Sequence, residues 1–318
     1  RISVTDRCNF RCRYCMPADV FGPGYSFLPR NEILSFEEIV QVVRSVCPLG
    51  VRRFRLTGGE PLLRRGIDDL VGMLSAVEGV EDLSMTTNGV LLSHHAESLV
   101  LAGLKRVTVS LDAMDPMIFS AMNGVGAKVE RVLLGISTAR AHGLPVKVNC
   151  VVQRGVNDTE ILPMARWAAS QGLTLRFIEY MDVGETNSWR HEHVVSAQTI
   201  LATLRREFRL VPLEAGHPGE TAMRFQFGDG PAEIGLIASV TMPFCCGCSR
   251  LRLSADGRLF TCLFSAKGHD IRAMLRDGAS HAELRSFIVG LWRERDDRYS
   301  ELRGTTVRPK AEMSYLGG

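Results

Sequence analysis

Residues 51–61 read VRRFRLTGGEP, and this stretch decides the fold class because it joins a strand pattern to a glycine turn. Residues 51–57 are predicted as a strand, which Gly58-Gly59 closes. Leu70, Val71 and Leu74 then share one face of a helix predicted over 67–77. A strand followed directly by a helix is the repeating unit of a parallel α/β sheet.

The same unit recurs over the first 180 residues. Further strands are predicted over 2–5, 83–86, 106–111, 146–152 and 173–180. Helices are predicted over 96–101, 129–141 and 160–169, and another follows the capping box of Ser35 and Glu38. Six strand–helix units are fewer than the eight of a closed barrel, so the pattern alone fits a partial, open barrel as well as a doubly wound sheet.

The pattern changes after Asp182. Residues 183–194 are polar and irregular, residues 196–208 are predicted as a helix, and short strands follow over 222–227 and 233–237. We therefore expect two parts, an α/β part over residues 1–182 and a smaller α+β extension over residues 183–318.

Composition excludes several classes of protein. The 318 residues carry 38 Lys+Arg against 35 Asp+Glu, and a net charge of +3 is too small to require a nucleic-acid partner. No run of 18 apolar residues is present, so no membrane-spanning helix is expected. Nine cysteines without a secretory signal indicate reduced thiols and hence a cytoplasmic protein. Because Arg1 already lies inside a strand pattern, we expect residues upstream of it.

Three cysteines follow the first predicted strand with the spacing Cys8-x3-Cys12-x2-Cys15. Thiolates this close in sequence can converge on one metal centre. A zinc site needs a fourth ligand, and the nearest histidines, His94 and His95, are far along the chain. Three ligands and one vacancy favour a [4Fe–4S] cluster with one open iron over zinc, and either over a purely structural role.

A second triad has the spacing Cys245-x2-Cys248, followed by Cys262. Cys246-x-Cys248 is an alternative pair, but an x2 spacing lets two thiolates face one centre across a tight turn, so we prefer Cys245. This triad also lacks a fourth ligand, which leaves a zinc knuckle incomplete. The remaining two cysteines lie in apolar patterns and are expected to be inert core residues: Cys47 and Cys150.

The turn Gly58-Gly59-Glu60-Pro61 is the best neighbour for a small ligand of the first triad. Glycines at the carboxyl end of a strand let the backbone approach a ligand closely, although an ordinary tight turn explains them equally well.

These segments resemble known motifs. The first triad, with Tyr14 before its last cysteine, resembles the signature of radical S-adenosylmethionine (SAM) enzymes, and residues 58–61 resemble their SAM amino-group motif. Residues 3–12 (SVTDRCNFRC), 55–62 (RLTGGEPL) and 248–253 (CSRLRL) resemble the GTP 3′,8-cyclases, the molybdenum cofactor biosynthesis protein A family. The closing Gly317-Gly318 resembles that family's double-glycine tail. Ser249 departs from the family, which usually has Asn there.

The resemblance implies an incomplete (β/α)6 TIM-type barrel, with a C-terminal α+β extension that caps its open side. It also implies two [4Fe–4S] clusters, the first binding SAM and the second holding GTP. The implied ligands are Cys8, Cys12 and Cys15 for the first cluster and Cys245, Cys248 and Cys262 for the second. The implied SAM contacts are Tyr14, Gly59, Ser110 and Met181. The implied GTP contacts are Arg1, Arg55, Thr86, Lys147, Arg250, Leu251 and Arg252, with Arg1 in a catalytic role near the guanine.

The implied reaction joins C3′ of the ribose of GTP to C8 of guanine. It yields (8S)-3′,8-cyclo-7,8-dihydroguanosine 5′-triphosphate, the first step of molybdenum cofactor biosynthesis. The implied partners are a flavodoxin- or ferredoxin-like reductant, a downstream cyclic pyranopterin monophosphate synthase and a second copy of the chain, without nucleic acid or membrane.

Arg250 and Arg252 share one face of a strand and follow Cys248, which favours a phosphate contact over a solvated edge. By contrast, the pairs Arg52-Arg53 and Arg64-Arg65 are interpreted as surface charge.

Two alternatives remain at this point. One is another radical SAM enzyme with an auxiliary cluster, such as a peptide-modifying maturase. The other is not an enzyme, but an iron–sulfur electron carrier or a zinc-dependent RNA-binding protein.

Overall fold

A single sheet of twelve strands organises the protein. The computed structural model describes residues 1–217, 219–228, 230–304 and 309–317. The first six strands are adjacent in the sheet, in chain order and mutually parallel. They are β1 (Ile2–Ser3), β2 (Arg53–Thr57), β3 (Asp82–Thr87), β4 (Arg106–Ser110), β5 (Val146–Val152) and β6 (Thr174–Glu179). All six correspond to strands predicted from the sequence.

Helices connect these strands and cover the outer face of the sheet. They are α1 (Phe36–Val46), α2 (Ile67–Ser75), α3 (Leu92–Leu101), α4 (Pro116–Asn123), α5 (Val129–Ala141) and α6 (Ile161–Gln171). Helix α1 begins at the predicted capping box, in which Ser35 accepts from the backbone of Glu38 and Glu38 accepts from the backbone of Ser35. Helix α4 was not predicted. Asp115 caps it, and Pro116 occupies its first turn, where a missing N–H costs nothing.

The extension adds strands to both edges of the same sheet. Its strands are β7 (Leu210–Leu213), β8 (Met223–Phe227), β9 (Glu233–Ile237), β10 (Arg252–Leu253), β11 (Arg258–Phe260) and β12 (His269–Asp270). Strand β10 lies parallel to β1, and β9 lies parallel to β6, so eight parallel strands form the centre. Antiparallel strands follow at each edge: β11 and β12 beyond β10, and β8 and β7 beyond β9.

The helices of the extension are α7 (Ala197–Arg205), α8 (Arg272–Arg276), α9 (His281–Arg293) and α10 (Met313–Leu316). Within the described residues no pairing joins β12 to β7, so the sheet is an incomplete barrel, as predicted. The open side is closed by side chains and loops of the extension, which share a cavity of about 1020 Å³ with the interior of the sheet.

The core holds two of the cysteines, and one arginine of a predicted surface pair is partly buried. Cys47 and Cys150 are buried in the core, as expected. The assignment of Arg64 to the surface is wrong, because its guanidinium donates to the carbonyls of Val4 and Leu34, both at 2.8 Å, and lies over the ring of Phe36. Among the described residues, no helix has both the length and the apolar character needed to cross a membrane.

Candidate active site

The first thiol set lies in the loop after β1 and lines the cavity. The backbone of this loop turns at Cys12, whose carbonyl accepts from the N–H groups of Cys15 at 3.0 Å and Met16 at 2.8 Å. Arg11 fixes the turn from outside by donating to the carbonyl of Cys8 at 2.8 Å. Burial raises the pKa of all three thiols, to about 12 for Cys8. Such thiols stay protonated in the empty protein, and a bound metal replaces the protons.

The two glycines after β2 pack against this loop. Gly59 N–H donates to the carbonyl of Thr5 and Glu60 N–H donates to that of Arg7, both at 2.8 Å. A Cβ at Gly58 would collide with the carbonyl of Thr5, and one at Gly59 with that of Arg7. Gly58 also has a φ of +145°, which side chains disfavour. The glycines therefore serve the contact between two loops as well as the lining of the cavity.

Glu60 is buried and close enough to Cys8 for its charge to act on that thiol. Its carboxyl accepts from Thr87 Oγ1 and the Asn88 N–H, both at 2.7 Å, and from the Leu62 N–H at 3.1 Å. Burial raises its pKa to about 7, although these three hydrogen bonds act in the opposite direction. Glu60 thus joins the turn after β2 to the end of β3.

Tyr14 is held by a second buried carboxyl. Its hydroxyl donates to Asp112 at 2.7 Å, and Asp112 also accepts from the N–H of Val151 at 2.9 Å. Burial raises the pKa of Asp112 to about 6. The sequence analysis did not single out Asp112, which follows β4 by two residues and orients the aromatic residue of the cysteine motif.

The second thiol set lines the same cavity. Cys248 N–H donates to the carbonyl of Cys245 at 3.1 Å, which closes the predicted tight turn. Burial alone would raise the pKa of Cys248, but the nearby Arg250 guanidinium, 3.0 Å from its sulfur, lowers it below the usual value. Cys245 faces the cavity, whereas Cys246 is exposed and donates to Glu301 at 3.3 Å.

Eleven arginine and lysine side chains line this cavity, and six of them are at least partly buried and form no ion pair within the described residues. Five were singled out from the sequence and one, Arg176 of β6, was not. The six are Arg1, Arg55, Lys147, Arg176, Arg250 and Arg252. Among the described residues, no carboxylate lies within 4.0 Å of any of these charged groups.

Burial and mutual repulsion raise the free energy of the charged form of these side chains. The pKa of Arg55 is lowered to about 9, first by burial and then by the charges of Arg176 and Arg106. Burial and the charge of Arg250 lower that of Arg252 to about 10. The pKa of Arg1 is also lowered, mainly by burial and then by the charges of its arginine neighbours. A cavity of this kind favours a ligand with several negative charges.

Four strand residues that line the cavity each have a buried polar atom without a hydrogen-bond partner in the described part of the chain. They are Thr86 Oγ1, Asn149 Oδ1, Arg176 Nε and Arg252 Nε. Buried polar groups in proteins are almost always satisfied, so these atoms are available to a ligand. Arg176 and Asn149 were missed because neither belongs to a sequence motif that signals a binding site. Asn149 could have been found from Lys147, since residues two apart share one face of a strand.

Every residue expected to contact SAM or GTP lines this cavity. The expected SAM contacts are Tyr14, Gly59, Ser110 and Met181, and the expected GTP contacts are Arg1, Arg55, Thr86, Lys147, Arg250, Leu251 and Arg252. The backbone nitrogen of Arg1 donates to the carbonyl of Leu251 at 2.7 Å. Its guanidinium donates to the carbonyl of Gly317 at 3.5 Å, and Gly317 itself packs against Thr57. Gly318 lies outside the described residues.

The donor chemistry of both thiol sets fits an iron–sulfur cluster. Each set offers three cysteines at the cavity wall, with hydrogen bonds to sulfur from the backbone of Phe10 at 3.4 Å in the first set and of Phe264 at 3.4 Å in the second. The described residues contain no group of three or more His, Cys, Asp or Glu side chains gathered closely enough for one metal ion. A four-iron cluster takes each thiolate on a different iron, so its ligands need not meet at one point.

Comparison with known protein families matches nearly the whole chain. Residues 2–168 match the radical SAM superfamily, and residues 173–301 match the family described as Molybdenum Cofactor Synthesis C. A protein of Acidothermus cellulolyticus named GTP 3′,8-cyclase is 47% identical over 346 residues, which cover 100% of this chain and 96% of that protein. A protein of Staphylococcus saprophyticus with the same name is 46% identical, covering 100% of this chain and 95% of its own length.

Solved structures show the same fold at much lower identity. SuiB from Streptococcus suis, solved with S-adenosylmethionine, is 14% identical with a TM-score of 0.62, over 90% of this chain and 67% of SuiB. SuiB solved with its precursor peptide SuiA is 13% identical with a TM-score of 0.61, over 90% of this chain and 66% of SuiB.

Proposed function

This chain belongs to the GTP 3′,8-cyclase family of radical SAM enzymes, and we propose that it cyclises GTP. The reaction joins C3′ of the ribose to C8 of guanine and gives (8S)-3′,8-cyclo-7,8-dihydroguanosine 5′-triphosphate, the first step of molybdenum cofactor biosynthesis. The observation that carries this proposal is the set of six buried or partly buried cations that line the same cavity as both thiol sets and have no carboxylate partner among the described residues.

A nucleoside triphosphate is the ligand that these cations fit. A charged hydrogen bond contributes about 1.5–3 kcal/mol, and micromolar binding requires about 8 kcal/mol, so a few such contacts suffice. The cations that we assign to GTP are Arg1, Arg55, Lys147, Arg176, Arg250 and Arg252. Thr86 and Leu251 complete the site.

We assign one [4Fe–4S] cluster to Cys8, Cys12 and Cys15 and a second to Cys245, Cys248 and Cys262. The exposure of Cys246 supports the choice of Cys245. When bound, the first cluster and SAM supply the one-electron chemistry that removes hydrogen from C3′.

The protein positions the two small molecules. We assign Tyr14, Gly59, Ser110 and Met181 to SAM. Ser110 ends β4 and Met181 follows β6 by two residues, so both lie at the carboxyl ends of parallel strands, where barrel enzymes build their sites. Asp112 orients Tyr14. The enclosing extension limits access of water and stray hydrogen donors.

Arg1 is the residue to which we assign a catalytic role. The hydrogen bond of its backbone to Leu251 and that of its guanidinium to Gly317 fix it between the second thiol set and the turn after β2. A guanidinium held there can donate hydrogen bonds to the base or ribose while C3′ and C8 come together.

The organisation of the chain and its partners form the remainder of the proposal. We divide the chain into residues 1–182 and 183–318, supported by the change in topology from βα units to antiparallel strands. We expect a flavodoxin- or ferredoxin-like reductant, a downstream cyclic pyranopterin monophosphate synthase, a homodimer and a cytoplasmic location. The resemblance to the family supports these expectations.

The activity is tested by anaerobic incubation of the reconstituted protein with SAM, a reductant and GTP deuterated at C3′. We expect a product isomeric with GTP, and one deuterium in the 5′-deoxyadenosine that SAM releases. ATP, which carries the same triphosphate, is the control and should not be cyclised. Release of undeuterated 5′-deoxyadenosine without an isomer of GTP would instead favour another radical SAM reaction, such as peptide modification.

A further inference from the structure

A buried carboxylate shortly after β6 accepts hydrogen bonds from three side chains of the C-terminal segment. Asp182 follows Met181 and is only 5% exposed. It accepts from Arg303 Nε at 2.9 Å, from Lys310 Nζ at 2.8 Å and from the hydroxyl of Tyr299. Lys310 Nζ also donates to the backbone carbonyl of Asp182 at 2.8 Å. We name Asp182 and its three partners the tail clamp.

The tail clamp also reaches the second thiol set. The ring of Tyr299 stacks on that of Phe264, with centroids 4.4 Å apart and planes at 21°. The N–H of Phe264 donates to the sulfur of Cys262 at 3.4 Å. Arg303 lies over both rings and donates to the carbonyl of Ser239 at 3.1 Å.

Beyond the clamp the chain returns to the cavity. Ala311 N–H donates to the carbonyl of Ser265 at 3.2 Å, and Glu312 accepts from Thr186 Oγ1 at 2.9 Å. The hydroxyl of Tyr315 donates to Asp256 at 2.6 Å, and α10 ends at Gly317 against Thr57 and Arg1. The segment is thus docked by a few polar contacts, and among those of the described residues the clamp alone includes ion pairs.

The charges of the clamp make it cooperative. In the described part of the chain, Asp182 is the one carboxylate within ion-pair distance of Arg303 or Lys310. Both cations are mostly buried, so loss of the carboxylate would leave two unpaired positive charges side by side. The segment can relieve that repulsion by leaving its site, whereas β6 remains held by its backbone pairing with β5 and β9.

We propose that Asp182 is a positioning residue, which holds residues 309–317 in place so that Gly317 lies against Thr57 and Arg1. This inference deepens the proposed function, because it names a residue outside the cavity lining that controls how one wall of the site is closed. Its structural part does not depend on which reaction the protein catalyses.

The test is amide hydrogen exchange of the anaerobically reconstituted Asp182→Asn variant. We expect exchange of the Ala311, Leu316 and Gly317 amides to be at least about tenfold faster than in the parent protein, with β4 unchanged. Lys310→Met should show a smaller local effect in the same residues, and combining the two should add little to Asp182→Asn, because both variants lose the contact between Asp182 and Lys310. Glu207→Gln, in the exposed pair with Arg166, is the matched control and should change nothing in this segment.

The kinetic readout separates positioning from general damage. In Asp182→Asn we expect kcat to fall about tenfold or more, while the dissociation constant for SAM stays within about twofold of the parent value. If Asp182→Asn does not fold, Lys310→Met and Tyr299→Phe give the same two readouts. Parent-like exchange at residues 311–317, or equally fast exchange in β4, overturns the proposal. Failure of the parent protein to cyclise GTP would overturn the proposed function and leave the exchange result standing.

Discussion

Replacement of Arg252 by methionine separates binding from folding, because the two effects have opposite signs. The side chain is 4% exposed, its Nε has no partner in the described residues, and Arg250 adds like charge. In the protein without nucleotide, Arg252→Met removes a buried, repelled cation, and we expect the free energy of unfolding to rise by about 1 kcal/mol or more. In the complex it removes at least one charged hydrogen bond of about 1.5–3 kcal/mol. The dissociation constant for GTP should therefore rise by about 10- to 150-fold.

The assay is thermal unfolding with and without GTP in phosphate-free buffer, together with calorimetric titration of GTP and of SAM. We expect a higher midpoint without GTP, a smaller increase on adding GTP, and an unchanged affinity for SAM. Arg140→Met, at an exposed position of α5, is the control and should alter neither quantity. Unchanged GTP affinity in Arg252→Met, or a less stable nucleotide-free protein, would refute the reasoning that Arg252 destabilises the nucleotide-free protein and binds a phosphate of GTP.

Three further predictions address other parts of the site. Cys262→Ser should lose about four of about eight irons and all GTP turnover, while SAM cleavage persists. Cys246→Ser should keep the full iron content. Equal iron content in the two variants would contradict the ligand assignment. Arg176→Met should raise the dissociation constant for GTP by about tenfold or more without changing that for GMP, as measured by calorimetry, and equal losses for both would place Arg176 away from the outer phosphates. Because burial raises the pKa of Glu60 from 4.5 to about 7, the native protein retains a proton that the unfolded chain releases, so its contribution to stability should be lost as pH rises from 4.5 through 7. Denaturant unfolding at pH 5 and 7 should show a smaller pH difference in Glu60→Gln, and an unaltered difference would contradict the raised pKa.

Local patterns were sufficient for several of the longer elements. The predicted strand over 146–152 coincides with β5, the predicted helix over 129–141 coincides with α5, and the strand over 233–237 coincides with β9. These segments have enough alternation or helical periodicity to identify them without tertiary contacts. Helix α9 was missed although Ser280 and Glu283 form a capping box that the sequence displays.

The short strands could not be predicted in the same way. Strands β10, β11 and β12 have two or three residues each, which is too few to show a period. Strand β10 exists because Leu253 pairs with Ile2, a residue some 250 positions earlier, and nothing local signals that partnership. Hence the attachment of the extension to both edges of the sheet required the structure.

Sequence motifs identified the cysteines and arginines of the candidate site better than the isolated residues around them. The cysteines and the Arg250-x-Arg252 pair were visible because they are clustered in sequence. Asp112 and Arg176 were not, because each is an isolated residue whose importance comes from the strand register that turns it towards the cavity. Arg64 was misassigned for a related reason, since the reach of its side chain to two backbone carbonyls depends on loops far apart in sequence.

The attachment of β9 and β10 to opposite edges has a consequence for biosynthesis. While the chain emerges from the ribosome, β6 has no partner on one side until residues 233–237 are synthesised, and β1 has none on one side until residues 252–253 are synthesised. Until then the nascent sheet exposes two bare edges, which are templates for pairing with other chains. We therefore expect translation stalled shortly after residue 182 to release insoluble fragments, and expression at low temperature with ample chaperone to raise the yield of full-length protein.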